Sequence, residues 1–90
     1  MRNSYPFGGW YVLRVQHDCA ICRHLGTELS RTQNVLGLKT GHLELLAHAI
    51  TRYDVGDRER AHILLPVCPE HAVEVYRGRV PGVEMAWQVA

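Results

Sequence analysis

Two short ligand pairs of identical internal spacing, Cys19-x-x-Cys22 and Cys68-x-x-His71, constrain this chain more than any other feature. They use every cysteine it has, and residues 23–67 lie between them. Two intervening residues let a tight turn bring both side chains of a pair to one side of a single ion, and two such pairs complete the tetrahedron that Zn²⁺ prefers. Three thiolates and an imidazole leave no position for water, so the pattern points to structural rather than catalytic zinc. The sequence therefore predicts structural Zn²⁺ on Cys19, Cys22, Cys68 and His71, with a hairpin or helix folded between the pairs.

Other uses of these residues were weighed on the same spacing. A c-type haem site needs His directly after the second Cys, and Arg23 stands there. A redox Cys19/Cys22 pair lacks the strand-then-helix setting of thioredoxin-type motifs. Buried small side chains with no ligand role are the remaining alternative. An odd cysteine count argues against a disulfide scaffold and for a reducing compartment, so the expectation is a cytoplasmic protein.

The 90 residues are 47% apolar and 21% charged, which gives one domain, 1–90, with a small core. Ten Lys and Arg against nine Asp and Glu leave a net charge of +1, so there is no whole-chain attraction to nucleic acid or anionic membrane. No run approaches the roughly 18 apolar residues of a membrane span, and the first residues do not read as a signal peptide. No membrane partner is expected.

Along the chain, Tyr11, Leu13 and Val15 alternate with polar neighbours and predict a strand over 10–16. The polar stretch 23–40, punctuated by Gly26, Asn34 and Gly37, reads as a turn and a short helix starting near Thr27 or Ser30. Residues 42–53 fit both periods: Leu43, Leu46, Ala47 and Ile50 at helical spacing, Leu43, Leu45, Ala47 and Ala49 at spacing two. Asp54-Val55-Gly56-Asp57 is turn chemistry. Ala61, Ile63, Leu65 and Val67 predict a half-buried strand with His62 on the surface and Pro66 at an edge or a strand end. Pro69, Glu70 and the Arg77-Gly78 step frame a helix over 69–77, whose N-terminus favours a thiolate at Cys68. Val83, Met85, Trp87 and Val89 predict a terminal strand.

A ligand pair at a strand end, a hairpin, and a helix whose first turn supplies the last two ligands resemble the treble-clef group of zinc fingers over roughly 10–78. The resemblance implies a small α+β fold: zinc knuckle, β-hairpin, ligand-bearing C-terminal helix and terminal strand. Within that group, Leu43-Glu44-Leu45-Leu46-Ala47-His48-Ala49-Ile50 and Leu65-Pro66-Val67-Cys68-Pro69-Glu70-His71 are similar to segments of His-Asn-His endonucleases. That likeness implies a strand over 43–53 and a water-activating base at His48. Ala72 and Ala47 stand where that family binds its catalytic metal, so the ion needed to polarise a phosphate lacks ligands, and the likeness carries fold rather than activity. Val35 to Leu43 also resembles the turn of a winged helix-turn-helix, which implies a recognition helix over 41–53 presenting His42, Glu44 and His48.

The function expected from these readings is a non-catalytic zinc-binding interaction module that contacts a protein or nucleic-acid partner. The alternatives are an HNH-like nuclease using His48 and a helix-turn-helix regulator. A second metal on His42 and His48 is a further option, while His17 and His24 read as solvent-exposed neighbours of the first pair. Tyr5, Trp10, Tyr11 and Trp87 lie near the two ends, so the terminal strands are expected to pair beneath these rings or to offer an edge for homo-oligomers.

Overall fold

The computed structural model describes residues 12–53 and 60–86. In chain order the elements are β1 (Val12–Asp18), α1 (Ala20–Leu25), β2 (Arg31–Thr40), α2 (Leu43–Ala47), β3 (Thr51–Tyr53), β4 (Ala61–Pro66), α3 (Pro69–Tyr76) and β5 (Val83–Met85). All strand pairings are antiparallel, in a five-stranded sheet of order β1-β2-β4-β3 with β5 also on β2. The result is a small α+β fold. No helix among the described residues is long and apolar enough to cross a membrane.

The ten-residue β2 organises the sheet. Its first residues pair with β1, Val35 to Thr40 pair with β4, and Leu38 to Thr40 also pair with β5. Thr32 and Thr40, both buried, use their hydroxyls twice. Thr32 donates to the Val67 carbonyl (3.4 Å) and accepts from the Asn34 N–H (3.0 Å). Thr40 donates to the Gly82 carbonyl (2.7 Å) and accepts from the His42 N–H (3.1 Å). Buried hydroxyls are tolerated because both capacities are filled. Between these ends Leu38 packs with Ile21, Leu45, Ile63, Leu65, Val67, Val75 and Val83 in one core.

The structure corrects the reading of residues 23–40. No helix starts near Thr27 or Ser30; residues 27–30 are loop and 31–40 are strand. The polar composition misled because Thr32, Asn34, Leu36, Leu38 and Thr40 alternate inward with hydroxyls and an amide among them, and Gly37 lies inside the ladder opposite Leu64 rather than in a turn. The helix lies earlier, at α1, where Ala20, Ile21 and Cys22 are buried and Gly26 (φ +74°) ends it by donating to the Arg23 and Cys22 carbonyls. Only glycine enters that left-handed conformation without cost.

Residues 42–53 resolve into helix and strand in succession. Leu45 is buried while Leu43 is 80% exposed, an arrangement set by the short helix, and Ile50 N–H then donates to the Leu64 carbonyl and leads into β3. The continuous strand implied by the endonuclease likeness and the 41–53 recognition helix are both absent. Val35 to Thr40, read as an interhelical turn, is β-ladder. The predicted 61–67 strand is present as β4, with Pro66 at its end, and β3 and β4 form the expected hairpin. His62 is not on the surface: at 8% exposure it is buried, like Leu64 two residues further along the same face of β4. The 69–77 helix is α3, and β5 matches the start of the expected terminal strand but ends at Met85; Trp87 and Val89 lie outside the described residues. β1 and β5 pair with β2 rather than with each other. The 54–57 turn and Tyr5, Trp10, Tyr11 and Trp87 lie outside the described residues.

Thr40 supplies a stability test. Thr40→Val keeps the volume but strands the His42 N–H and the Gly82 carbonyl, and is expected to cost about 1–3 kcal/mol in chemical denaturation; a change within error would show that water replaces the hydroxyl.

Candidate metal centre

Both ligand pairs are built in the same way, as a strand followed by a helix whose N-cap is cysteine, so the strand-then-helix setting expected to be missing at Cys19 and Cys22 is present. β1 ends at Asp18, Cys19 caps α1, and Cys22 sits in the first turn. β4 ends at Pro66, Cys68 caps α3 with Pro69 at its first position, and His71 sits in the first turn. The expected knuckle at the first pair is thus a helical turn, because Cys19 Sγ accepts the Cys22 N–H (3.4 Å) as a capping oxygen would and Ile21 buries itself beneath.

β2 brings the two helix starts together. The Cys19 N–H donates to the Ser30 carbonyl (2.8 Å), and the Val67 N–H donates to the Asn34 carbonyl (3.1 Å). The residues at or just before each cap are therefore tied to β2 or to Ser30 directly before it. Cys68 N–H reaches Cys19 Sγ at 3.2 Å, a direct bond between the two halves of the centre.

The four predicted ligand residues converge, with their ligand atoms all within 4.8 Å of one another. Cys22 Sγ lies 3.3 Å from His71 Nδ1 and 4.0 Å from Cys68 Sγ; Cys68 Sγ and Cys19 Sγ lie 3.5 Å and 3.9 Å from the same nitrogen. A tetrahedral ion with metal–sulfur bonds of about 2.3 Å and metal–nitrogen bonds of about 2.0 Å would set sulfurs about 3.8 Å apart and sulfur and nitrogen about 3.5 Å apart. The observed sulfur–nitrogen separations bracket the second value, and the Cys22–Cys68 sulfur separation of 4.0 Å lies close to the first. The residues present fit a metal ion, with His71 binding through Nδ1.

Electrostatics favour a cation here. Cys19, Cys22 and Cys68 are 0%, 2% and 3% exposed. Burial pushes the Cys19 thiol up to about 12, although the backbone N–H groups of Cys68 and Cys22 oppose the rise. Burial also opposes ionisation of Cys22, but hydrogen bonds from the Ser30 backbone and from Cys19, Thr27 and Cys68 outweigh it and hold that thiol below its ordinary value. Sequence reasoning named Thr27 and Ser30 only as helix starts, not as partners of the centre. Their signal was the Thr and Ser content of the loop after Gly26, which reads locally only as turn chemistry.

The remaining histidines do not join the centre. His24 Nδ1 is 2.7 Å from Glu44 Oε1, and its ring packs on His42 with centroids 4.5 Å apart. His42 Nε2 is 3.0 Å from the Pro81 carbonyl. His48 follows α2 as its C-cap and is exposed, bordering a small cavity with His17, Asp18 and Arg23. Among the described residues, the Cys19, Cys22, Cys68 and His71 group alone brings three or more such side chains within metal-binding distance, and neither His42 nor His48 belongs to it.

Compared with known proteins, the chain matches no family model, no curated protein and no solved structure.

The raised Cys19 value fixes the sign of a pH effect. Cys19 keeps its proton through neutral pH until a metal displaces it, so binding releases that proton and apparent affinity rises with pH, by about tenfold per unit for each proton released. Titration calorimetry of Zn²⁺ binding between pH 6.5 and 8.5, in buffers of different ionisation enthalpy, is expected to show this release; a pH-independent affinity would contradict it.

Proposed function

We propose that the Cys19, Cys22, Cys68 and His71 centre holds structural Zn²⁺ and that the chain is a small, non-catalytic zinc module serving as an interaction domain. The observation that carries this reading is the convergence of three buried thiols and one imidazole at tetrahedral spacing, with every ligand supplied by the protein. Soft thiolates favour zinc over magnesium or calcium. The β3–β4 hairpin and the ligand-bearing α3 support a treble-clef-like construction, from which the helical first pair departs.

The partner is a protein or a nucleic acid, and the near-neutral charge favours a protein. Val73 and Tyr76, three residues apart on α3, are 45% and 69% exposed and form the apolar part of the proposed contact face. β1 is a poorer template for strand pairing, because its register with β2 shifts between Val12 and His17 and the side chains of Arg31 and Gln33 take the Gln16 and Arg14 carbonyls.

Metal analysis of the purified chain is expected to find one zinc per molecule. Cys68→Ser is expected to lose it and, with it, on the order of 10 kcal/mol of apparent folding free energy, so that the cooperative thermal transition disappears. A zinc-free wild type, or a variant with unchanged melting temperature, would remove the proposal. Incubation with plasmid DNA and Mg²⁺, Mn²⁺ or Ni²⁺ is expected to leave the plasmid intact; cleavage abolished by His48→Ala would instead establish the nuclease.

A further inference from the structure

The four ligands differ in how solvent reaches them. The three thiols are buried, whereas His71 is half-buried. A cavity of about 630 Å³ reaches Cys22 and His71 from one side, and Glu28, Glu70 and Glu74 line it. Glu28 comes from the loop after α1, and Glu70 and Glu74 come from α3, so two separate segments place carboxylates around one opening. Glu28 and Glu70 are exposed, and Glu74 has Arg79 3.6 Å away. The smaller cavity of about 210 Å³ is different in kind. It reaches Ala20 rather than a ligand and carries Arg23, His17 and His48, with Asp18 bonded to Arg23 at 2.9 Å.

We propose that the cavity lined by Glu28, Glu70 and Glu74 is the path by which a metal cation reaches and leaves the centre, with His71 as the outermost ligand and the carboxylates selecting for positive charge. This rests on the reading of the centre as a metal site. The four-ligand cluster points to a cation independently of the acidic residues, and the acidic cavity opens onto two of its ligands. The net charge of +1 supplies no long-range attraction for a divalent ion, so any steering must be local. Like-signed charges in a cleft concentrate counter-ions, and the effect falls as salt shortens the screening length. Carboxylates that do not end up as ligands act mainly on the rates of arrival and exchange, as rim charges do in other binding sites. The same carboxylates repel an anionic chelator approaching His71.

The test uses the zinc-loaded full chain and a Glu28→Gln, Glu70→Gln, Glu74→Gln triple variant at low ionic strength. In the variant, zinc removal by anionic EDTA is expected to accelerate by about threefold or more, while exchange with isotopically labelled Zn²⁺ slows by a similar factor. Removal by neutral phenanthroline is expected to stay the same, and the two charge-dependent effects are expected to vanish in about 0.5 M salt. Equal EDTA and exchange rates in the two proteins would overturn the path, as would a change in which all three reagents accelerate together, since that reports general loosening. Should the triple variant fail to fold, Glu70→Gln alone is expected to shift the EDTA and exchange rates in the same opposite directions, and its failure to do so would equally overturn the path. A wild type that holds no metal would defeat the centre itself, an outcome distinct from a loaded protein with unaltered rates.

Discussion

The structure depends on one strand holding two others in register. β2 pairs with β1 through its first residues and with β4 through the rest, and the main chain continues both pairings to the helix caps. Cys19 is fixed by the Ser30 carbonyl, and Val67, directly before Cys68, by the Asn34 carbonyl and the Thr32 hydroxyl. Two helix N-termini from distant parts of the chain therefore face each other across a few ångströms. A register slip of one residue would turn the alternating faces of the strand over and separate the pairs.

That juxtaposition carries an electrostatic cost which a cation relieves. Three thiols at 3% exposure or less, drawn to within 4.8 Å of one another and of an imidazole, cannot all ionise in a poorly solvated site without an opposite charge. The raised Cys19 and lowered Cys22 values express this conflict: one thiol keeps its proton while its neighbour is stabilised as an anion by surrounding donors. The free N–H groups of each helix's first turn add favourable dipoles but no full charge. A divalent ion resolves the conflict at its centre and links α1 to α3 directly. In so small a core, with Ile21, Val67 and Val75 packed around the ligands, such a link replaces apolar area that the chain does not have.

The candidate site was legible to the extent that its chemistry is local. The spacing within each pair and the Pro69 and Glu70 start of α3 are short-range signals that match the structure, and the alternation of β4 located the strand but wrongly gave it an exposed face. What escaped was β2. Thr32 and Thr40 are polar in sequence yet buried in the fold, because their hydroxyls meet carbonyls 35 and 42 positions away. His62 was misplaced because alternation assigns a strand one wet face, whereas β4 buries both, His62 and Leu64 on one and Ile63 and Leu65 on the other. His42 and Glu44, read as residues for a DNA groove, instead meet His24 of α1.

By itself, the sequence determined which residues can bind a metal and that each pair can close on one ion, because two-residue spacing and helix-start chemistry act within a single turn. It also set the neutral charge and the small core, which are sums over residues and need no fold. Only the tertiary structure decided that the two pairs meet, that the first pair caps a helix rather than forming a knuckle, and that an acidic cavity opens onto Cys22 and His71. Those outcomes depend on strand register and on hydrogen bonds between residues far apart in the chain, for which no local pattern encodes the partner.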